Sequence, residues 1–121
     1  MNTTTFDILE YQKIKEMLEE FTVSDMGRDL VRALGPETDA NIIRKRLMET
    51  SESRMLLTKG SSVPLSCLTG IGKVLEKLGK VTALLPEDLT IIRNVMTGAG
   101  RLINFMKART ELAPNVASYA A

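Results

Sequence analysis

The segment from Pro86 to Met106 constrains the fold more than any other. Ile92, Val95, Ala99, Leu102 and Met106 follow one another at steps of 3, 4, 3 and 4 residues, and Leu89, Met96 and Ile103 widen the stripe. That spacing is the period of an α-helix and excludes a strand. Pro86 suits the first helical position, and Glu87 and Asp88 complement the positive end of a helix dipole. The stripe spans about 160° of the wheel, more than one neighbouring helix covers. Gly98 and Gly100 lie inside the helix, each weakening it by about 1 kcal/mol relative to Ala. They are either slack or the close approach of a second helix, and the sequence leaves both open.

Four more helices follow from the same spacing. From Glu10 to Phe21, the residues Tyr11, Ile14, Met17, Leu18 and Phe21 share a stripe, while Gln12, Lys15, Glu16 and Glu19 face away. Phe6–Leu9 before it is an extended lead-in or a helical turn on a second surface. The next helix runs from Ser24, a suitable N-cap, to about Leu34, with Met26, Leu30, Val31 and Leu34 at core spacing. Gly35-Pro36 ends it, because proline disfavours helical geometry in the residue before it. A third opens at Thr38 or Asp39 and reaches Lys59. Its seam is Ala40, Ile43, Leu47, Thr50, Arg54 and Leu57, with Gly60 as the closing C′ residue. The fourth, before the Pro86 helix, places Ile71, Val74, Leu75 and Leu78 on one face, with Thr69 as cap and Gly79 as stop. After Pro114 the tail restarts an apolar pattern and ends without a cap, as part of a longer protein would. The expectation is an all-α bundle of about five helices, residues 1–121 forming a single domain.

Composition narrows what such a bundle can do. Sixteen Lys and Arg against 15 Asp and Glu leave a net charge of +1, so no global field announces nucleic acid or a membrane. There is no His, which removes the commonest general base and the commonest zinc ligand together. A single Cys excludes an internal disulfide and suits a reducing, cytoplasmic compartment. No charge-free apolar run reaches the ~18 residues of a spanning helix. Met1-Asn2-Thr3-Thr4-Thr5 lacks the basic and apolar regions of a secretory signal, so Asn2-Thr3-Thr4 is a chance match to a glycosylation acceptor.

The motifs that carry chemistry fail one by one. Gly72-Lys73 and Gly79-Lys80 invite a phosphate-loop reading, but Cys67 and Val74 stand where the first glycine is needed, and Val74 and Val81 where a Ser or Thr is needed. Cys67 has no base to activate it and reads as a buried small residue. Glu19/Glu20, Glu49/Glu52 and Glu87/Asp88 read as solvated helix faces and a helix start rather than metal ligands. Lys73, Lys77 and Lys80 line one face and Arg93 and Arg101 another, the two candidate nucleic-acid faces. No aromatic interleaves them, so solvated faces are favoured, with binding weaker than about 10 μM at physiological salt. Arg54 stands where the seam should be apolar, either snorkelling at its edge or paired with a carboxylate.

Taken in order, Leu9-Glu10-Tyr11-Gln12-Lys13-Ile14, Ser24-Asp25-Met26-Gly27, Leu34-Gly35-Pro36-Glu37-Thr38-Asp39, Leu47-Met48-Glu49-Thr50-Ser51-Glu52, Val63-Pro64-Leu65 and Leu85-Pro86-Glu87-Asp88-Leu89 resemble the opening of bacterial MutS-related proteins. The resemblance is to the second-paralogue, endonuclease MutS-like branch, which lacks the mismatch-reading and connector domains and begins with the helical core. It covers essentially the whole chain. It departs at Cys67-Leu68-Thr69-Gly70, which lacks an acidic residue before Ile71, and at Leu85, where a Ser cap is expected.

The resemblance implies a dimeric ATPase with a core and lever region, often with a C-terminal nuclease domain. Such proteins restrain recombination on branched DNA and are linked to stalled ribosomes. No Walker or nuclease motif is present here, so no catalytic residue carries over. ATP and magnesium belong to the parent protein, and no cofactor is expected in this chain. Expected partners are the rest of the parent chain and a second copy, with DNA and the ribosome reached through the parent and no membrane. The expected function is that of an N-terminal core module with a structural, coupling role. The alternative is a stand-alone interaction module that pairs through Ile92, Val95, Ala99, Leu102 and Met106, and through that seam the isolated chain is expected to self-associate.

Overall fold

A computed structural model describes residues 3–59, 62–66, 68–80 and 83–121. Among them the chain forms seven α-helices, α1 Thr3–Ile8, α2 Tyr11–Glu20, α3 Asp25–Arg32, α4 Ala40–Thr58, α5 Ile71–Lys77, α6 Pro86–Lys107 and α7 Pro114–Ala117, then a 3-10 turn, Ser118–Ala120. The fold is all-α, with no strand among the described residues. Three sequence expectations, Gly60 as a helix stop, Cys67 as a buried residue and Asn2 as part of an acceptor motif, lie outside the described residues.

Local chemistry explains where the helices start. The Ser24 hydroxyl accepts from the Gly27 N–H at 3.0 Å, and the Asp39 carboxylate from the N–H of Asn41 at 2.7 Å. Leu85 has no capping side chain, so Asp88 supplies the contact instead, accepting the Leu85 N–H at 3.0 Å. For α5 the cap is Gly70 and not Thr69. Gly70 turns through φ 84°, which a side chain would strain, and its N–H donates to Asp25 of α3 at 2.5 Å. A distant carboxylate thus does the work expected of a local hydroxyl. Phe6–Leu9 resolves toward the helical alternative, α1 ending at Ile8, with the Phe6 and Tyr11 ring centroids 5.2 Å apart.

Packing runs as a chain of neighbours rather than around one centre. Helix α1 meets α2, α2 meets α3, α3 meets α5, α5 meets α6, and α7 joins α6 to α4. The buried core is Leu56, Met106, Ala113 and Ala117, where α4, α6 and α7 converge, and Val74 is buried between α5 and α6. The total accessible surface is 9208 Å², whereas a compact monomer of 13.4 kDa exposes about 6,500 Å². The bundle is open.

Three expected seams are not interior. In the Ser24 helix, Met26, Leu30 and Leu34 are exposed and Val31 is half-buried. In α2, Ile14, Met17, Leu18 and Phe21 all stay exposed, Phe21 at 80%. The line that meets α3 is Tyr11, Lys15 and Glu19, which bond to the Leu34 and Arg32 carbonyls and the Arg32 guanidinium. In α4, Ala40, Ile43, Leu47, Thr50, Arg54 and Leu57 are exposed, and the side turned inward carries Glu49, Glu52 and Leu56. The reason is α7, a four-residue helix whose polar start needs carboxylates opposite it.

Candidate interface and basic faces

The Pro86 helix forms as expected, but its stripe is buried unevenly. Met106 is buried; Ile92, Val95, Ala99 and Leu102 are half-buried; Leu89, Met96 and Ile103 remain exposed. The two glycines part company. A Cβ on Gly98 would stand 3.0 Å from the Ser66 carbonyl, so Gly98 admits a loop backbone rather than a second helix. Gly100 faces open space.

Helices α4 and α6 make no direct backbone approach among the described residues; α7 bridges them at one end. The space between is an apolar groove of about 370 Å³. Leu56 and Leu57 of α4, Ile103 and Met106 of α6, and Leu65 and Tyr119 from the segments beside them are among the residues that line it. The expected seam residues Leu102 and Met106 line it, while Ile92, Val95 and Ala99 lie beyond it toward the helix start.

Sequence reasoning missed the polar latch beside this groove. Glu52, only 8% exposed, accepts from Asn115 Nδ2 at 2.6 Å and from the Val116 N–H at 2.9 Å, at the start of α7. Burial alone would raise the Glu52 pKa, but the donors of Val116 and Asn115 outweigh it and hold it below the ordinary value. One turn earlier, Glu49 accepts from the Tyr119 hydroxyl at 2.7 Å, and Lys45 lies 5.5 Å from that ring's centroid. The signal was Glu49 and Glu52 at i, i+3, with Asn115 and Tyr119 as donors behind a helix-starting Pro114.

The lysine face is only partly available. Lys77 donates to Asp88 at 2.7 and 3.0 Å, and this contact, with the Leu85 N–H, lowers the Asp88 pKa. Asp88 is buried and Lys77 half-buried, so the pair joins α5 to α6 and engages the Lys77 ammonium. Lys73 and Lys80 remain exposed, as do Arg93 and Arg101 on α6. Arg54 is exposed and takes part in no ion pair among the described residues. No group of three or more His, Cys, Asp or Glu among the described residues is placed to hold a metal ion. No helix there is long and apolar enough to cross a membrane.

No family model and no solved structure matches the chain. Curated proteins do. Endonuclease MutS2 of Ruminiclostridium cellulolyticum is 32% identical over 111 residues, 92% of this chain. Endonuclease MutS2 of Symbiobacterium thermophilum is 34% identical over 112 residues, 93% of this chain. Over the aligned residues the chain is related to the MutS2 branch of the MutS-related family. Endonuclease MutS2 of Leuconostoc mesenteroides is a further relative, 34% identical over 105 residues. The chain spans only 14% of the length of the first two MutS2 relatives and 13% of the third.

Proposed function

We propose that this chain is the N-terminal helical core module of a MutS2-like protein, packing against the remainder of a longer chain and carrying no catalysis of its own. The observation that carries this reading is the open packing. The chain exposes roughly 2,700 Å² more than a compact monomer of its mass, much of it apolar side chain, and aligns with only one seventh of its relatives. Surfaces of that size on a helical module are faces waiting for a neighbour.

In this reading the module transmits movement between an ATPase elsewhere in the parent and bound DNA or a ribosome. ATP, magnesium, endonuclease activity, a second copy and a cytoplasmic location belong to that parent. The available cations, Lys73, Lys80, Arg93 and Arg101, support only a weak phosphate contact. The test is twofold. The natural reading frame should continue past Ala121, and the 121-residue chain should hydrolyse neither ATP nor branched DNA with any divalent metal. Turnover abolished by one substitution within these residues makes the chain an enzyme. A frame that stops at Ala121 favours the stand-alone interaction module, which rests on the same exposed faces.

A further inference from the structure

We infer that α1–α3 form an arm that docks on α5 and leaves it as one body, turning at Gly35-Pro36, with the hydrogen bond from Gly70 to Asp25 as its catch. Helix α5 is then the strut that passes the arm's position to the start of α6. This deepens the coupling role proposed for the module and rests on that reading for its use in the parent protein. Three observations carry it.

The first is how little holds the arm to the rest. Among the described residues, α1, α2 and α3 contain no buried side chain and meet no helix outside the arm except α5. The polar contact in that seat is the Gly70 N–H donating to the Asp25 carboxylate at 2.5 Å. Gly70 stands at φ 84° at the start of α5, a left-handed turn that favours glycine. Val74, 1% exposed between α5 and α6, keeps α5 with α6, so any parting falls at the Asp25 seat. Segments with few buried apolar contacts sit at the low end of local stability and open without global unfolding.

The second is that the arm is tied within itself and ends at a hinge. Glu19 pairs with Arg32 and Arg28, and the Lys15 ammonium donates to the Arg32 carbonyl at 2.6 Å. The link to α4 then runs between two anchors. On the arm side, the Tyr11 hydroxyl donates to the Leu34 carbonyl at 3.5 Å. On the far side, the Glu37 carboxylate accepts the N–H groups of Thr38 and Asp39, and Asp39 caps α4. Between them, Gly35 and Pro36 take part in no hydrogen bond among the described residues. A Cβ on Gly35 would meet nothing within 4 Å, and Pro36 is exposed. Hinges are a few loop residues that absorb the change in φ and ψ. Proline fixes its own φ, so the turning falls on Gly35 and on ψ of Pro36.

Third, α5 is gripped at both ends by side chains of its neighbours. Asp25 of α3 holds its start, and at its end Lys77 donates to Asp88 of α6 at 2.7 Å. Asp88 also accepts the Leu85 N–H at 3.0 Å, where α6 begins. A seven-residue helix held at both ends is a short rigid element, so release at Gly70 is felt at Leu85.

The test measures distances between nitroxides in the full natural chain, diluted with excess unlabelled chain so that only pairs within one chain count. Lys13→Cys in α2 with Arg93→Cys in α6 spans the seat, and Lys13→Cys with Asp29→Cys stays within the arm. Cys67 and any further native cysteine are replaced by Ser. With Asp25 in place the spanning pair should give one narrow distance. Asp25→Ala should add a second, longer one, while the pair within the arm stays single. Asp25→Asn, whose amide oxygen still accepts the Gly70 N–H, should leave both pairs unchanged. With Asp25→Ala, amide exchange should quicken at least about tenfold at Gly70 and about twofold at Leu85, with Val116 as the unchanged control. A spanning distance that stays single with Asp25→Ala overturns the arm. Broadening of both pairs shows α2 parting from α3 and overturns movement as one body. Asp25→Asn acting like Asp25→Ala makes charge rather than the hydrogen bond the catch and overturns it as drawn. Faster exchange at Gly70 with none at Leu85 overturns the strut. If the reading frame ends at Ala121 the module reading fails, and the same distances in the 121-residue chain still decide the arm.

Discussion

Helices α2 and α4 both leave their expected apolar stripes exposed, yet they are held in place in different ways. Around the C-terminal half of α4, Leu56 meets Met106, Ala113 and Ala117 and is 2% exposed. Around α2 nothing is buried. That helix is held to α3 by Glu19 with Arg32 and Arg28, by Lys15 to the Arg32 carbonyl at 2.6 Å, and by Tyr11 to the Leu34 carbonyl at 3.5 Å. Exposed ion pairs contribute little and are screened by salt, whereas removal of apolar surface from water is the dominant favourable term in folding. An amphipathic stripe therefore reports that a face wants cover, and the chain itself covers neither stripe; in α4 it buries Leu56 and Glu52, which lie off the stripe. The N-terminal helices are positioned by polar contacts and keep their apolar faces outward.

The sharpest way to break this contrast is to delete the same kind of surface in both regions. Leu56→Ala should cost about 2–5 kcal/mol, since the atoms it removes are in the core and leave a cavity. Phe21→Ala, at a site 80% exposed, should stay within about 0.5 kcal/mol. Denaturant melts of both variants read this directly; equal losses would mean that α2 is covered in solution and that the two regions do not differ. The glycines of α6 sharpen the contrast inside one helix. Gly98→Ala puts a Cβ 3.0 Å from the Ser66 carbonyl and should destabilise by about 1–3 kcal/mol. Gly100→Ala meets nothing within 4 Å and should stabilise by about 0.5–1 kcal/mol through helix propensity. Thermal melts giving the same sign for both would show that the loop does not lie against α6.

How far the sequence reaches can be seen at particular residues. Ser24, Asp39 and Pro86 announced three helix starts, because capping is a local bargain between neighbours in the chain. The cap of α5 was missed, because Asp25 reaches it from 45 residues away. Periodicity found the stripe of α6 but misplaced the inner face of α4, where Glu49 and Glu52 are turned in by partners more than 60 residues on. A carboxylate counts as polar in any pattern, and only its donors make it an inward residue. For the same reason Lys77 read as one of three surface lysines until Asp88 claimed it. The likeness to MutS2 proteins extends over 92–93% of the chain, as a resemblance spread over many short motifs would.

Salt and acid should separate the two regions by mechanism, with effects smaller than those of the substitutions above. Glu19 is lowered below 4.5, first by its hydrogen bond from Arg32 and then by the charges of Arg32 and Arg28. Glu52 is lowered below 4.5 against the effect of burial, by the neutral donors of Val116 and Asn115. Both folded values lie below the unfolded one, so both contributions are fully present above pH 4.5 and fade as pH falls through the folded values. Acid should therefore loosen α2 from α3 and α7 from α4 alike. Salt should not. At 1 M the screening length is about 3 Å, which weakens the exposed Glu19 pairs but leaves bonds to an N–H and an amide largely intact. Amide exchange at pH 7 should thus quicken in α3 with added salt and stay unchanged at Val116. Glu52→Gln should do the converse, speeding exchange at Val116 at pH 7 and removing its acid dependence while leaving α3 as it was. If salt releases α7 as readily as α3, the latch is held by long-range charge such as that of Lys45, and the division between a polar-held and an apolar-held half fails.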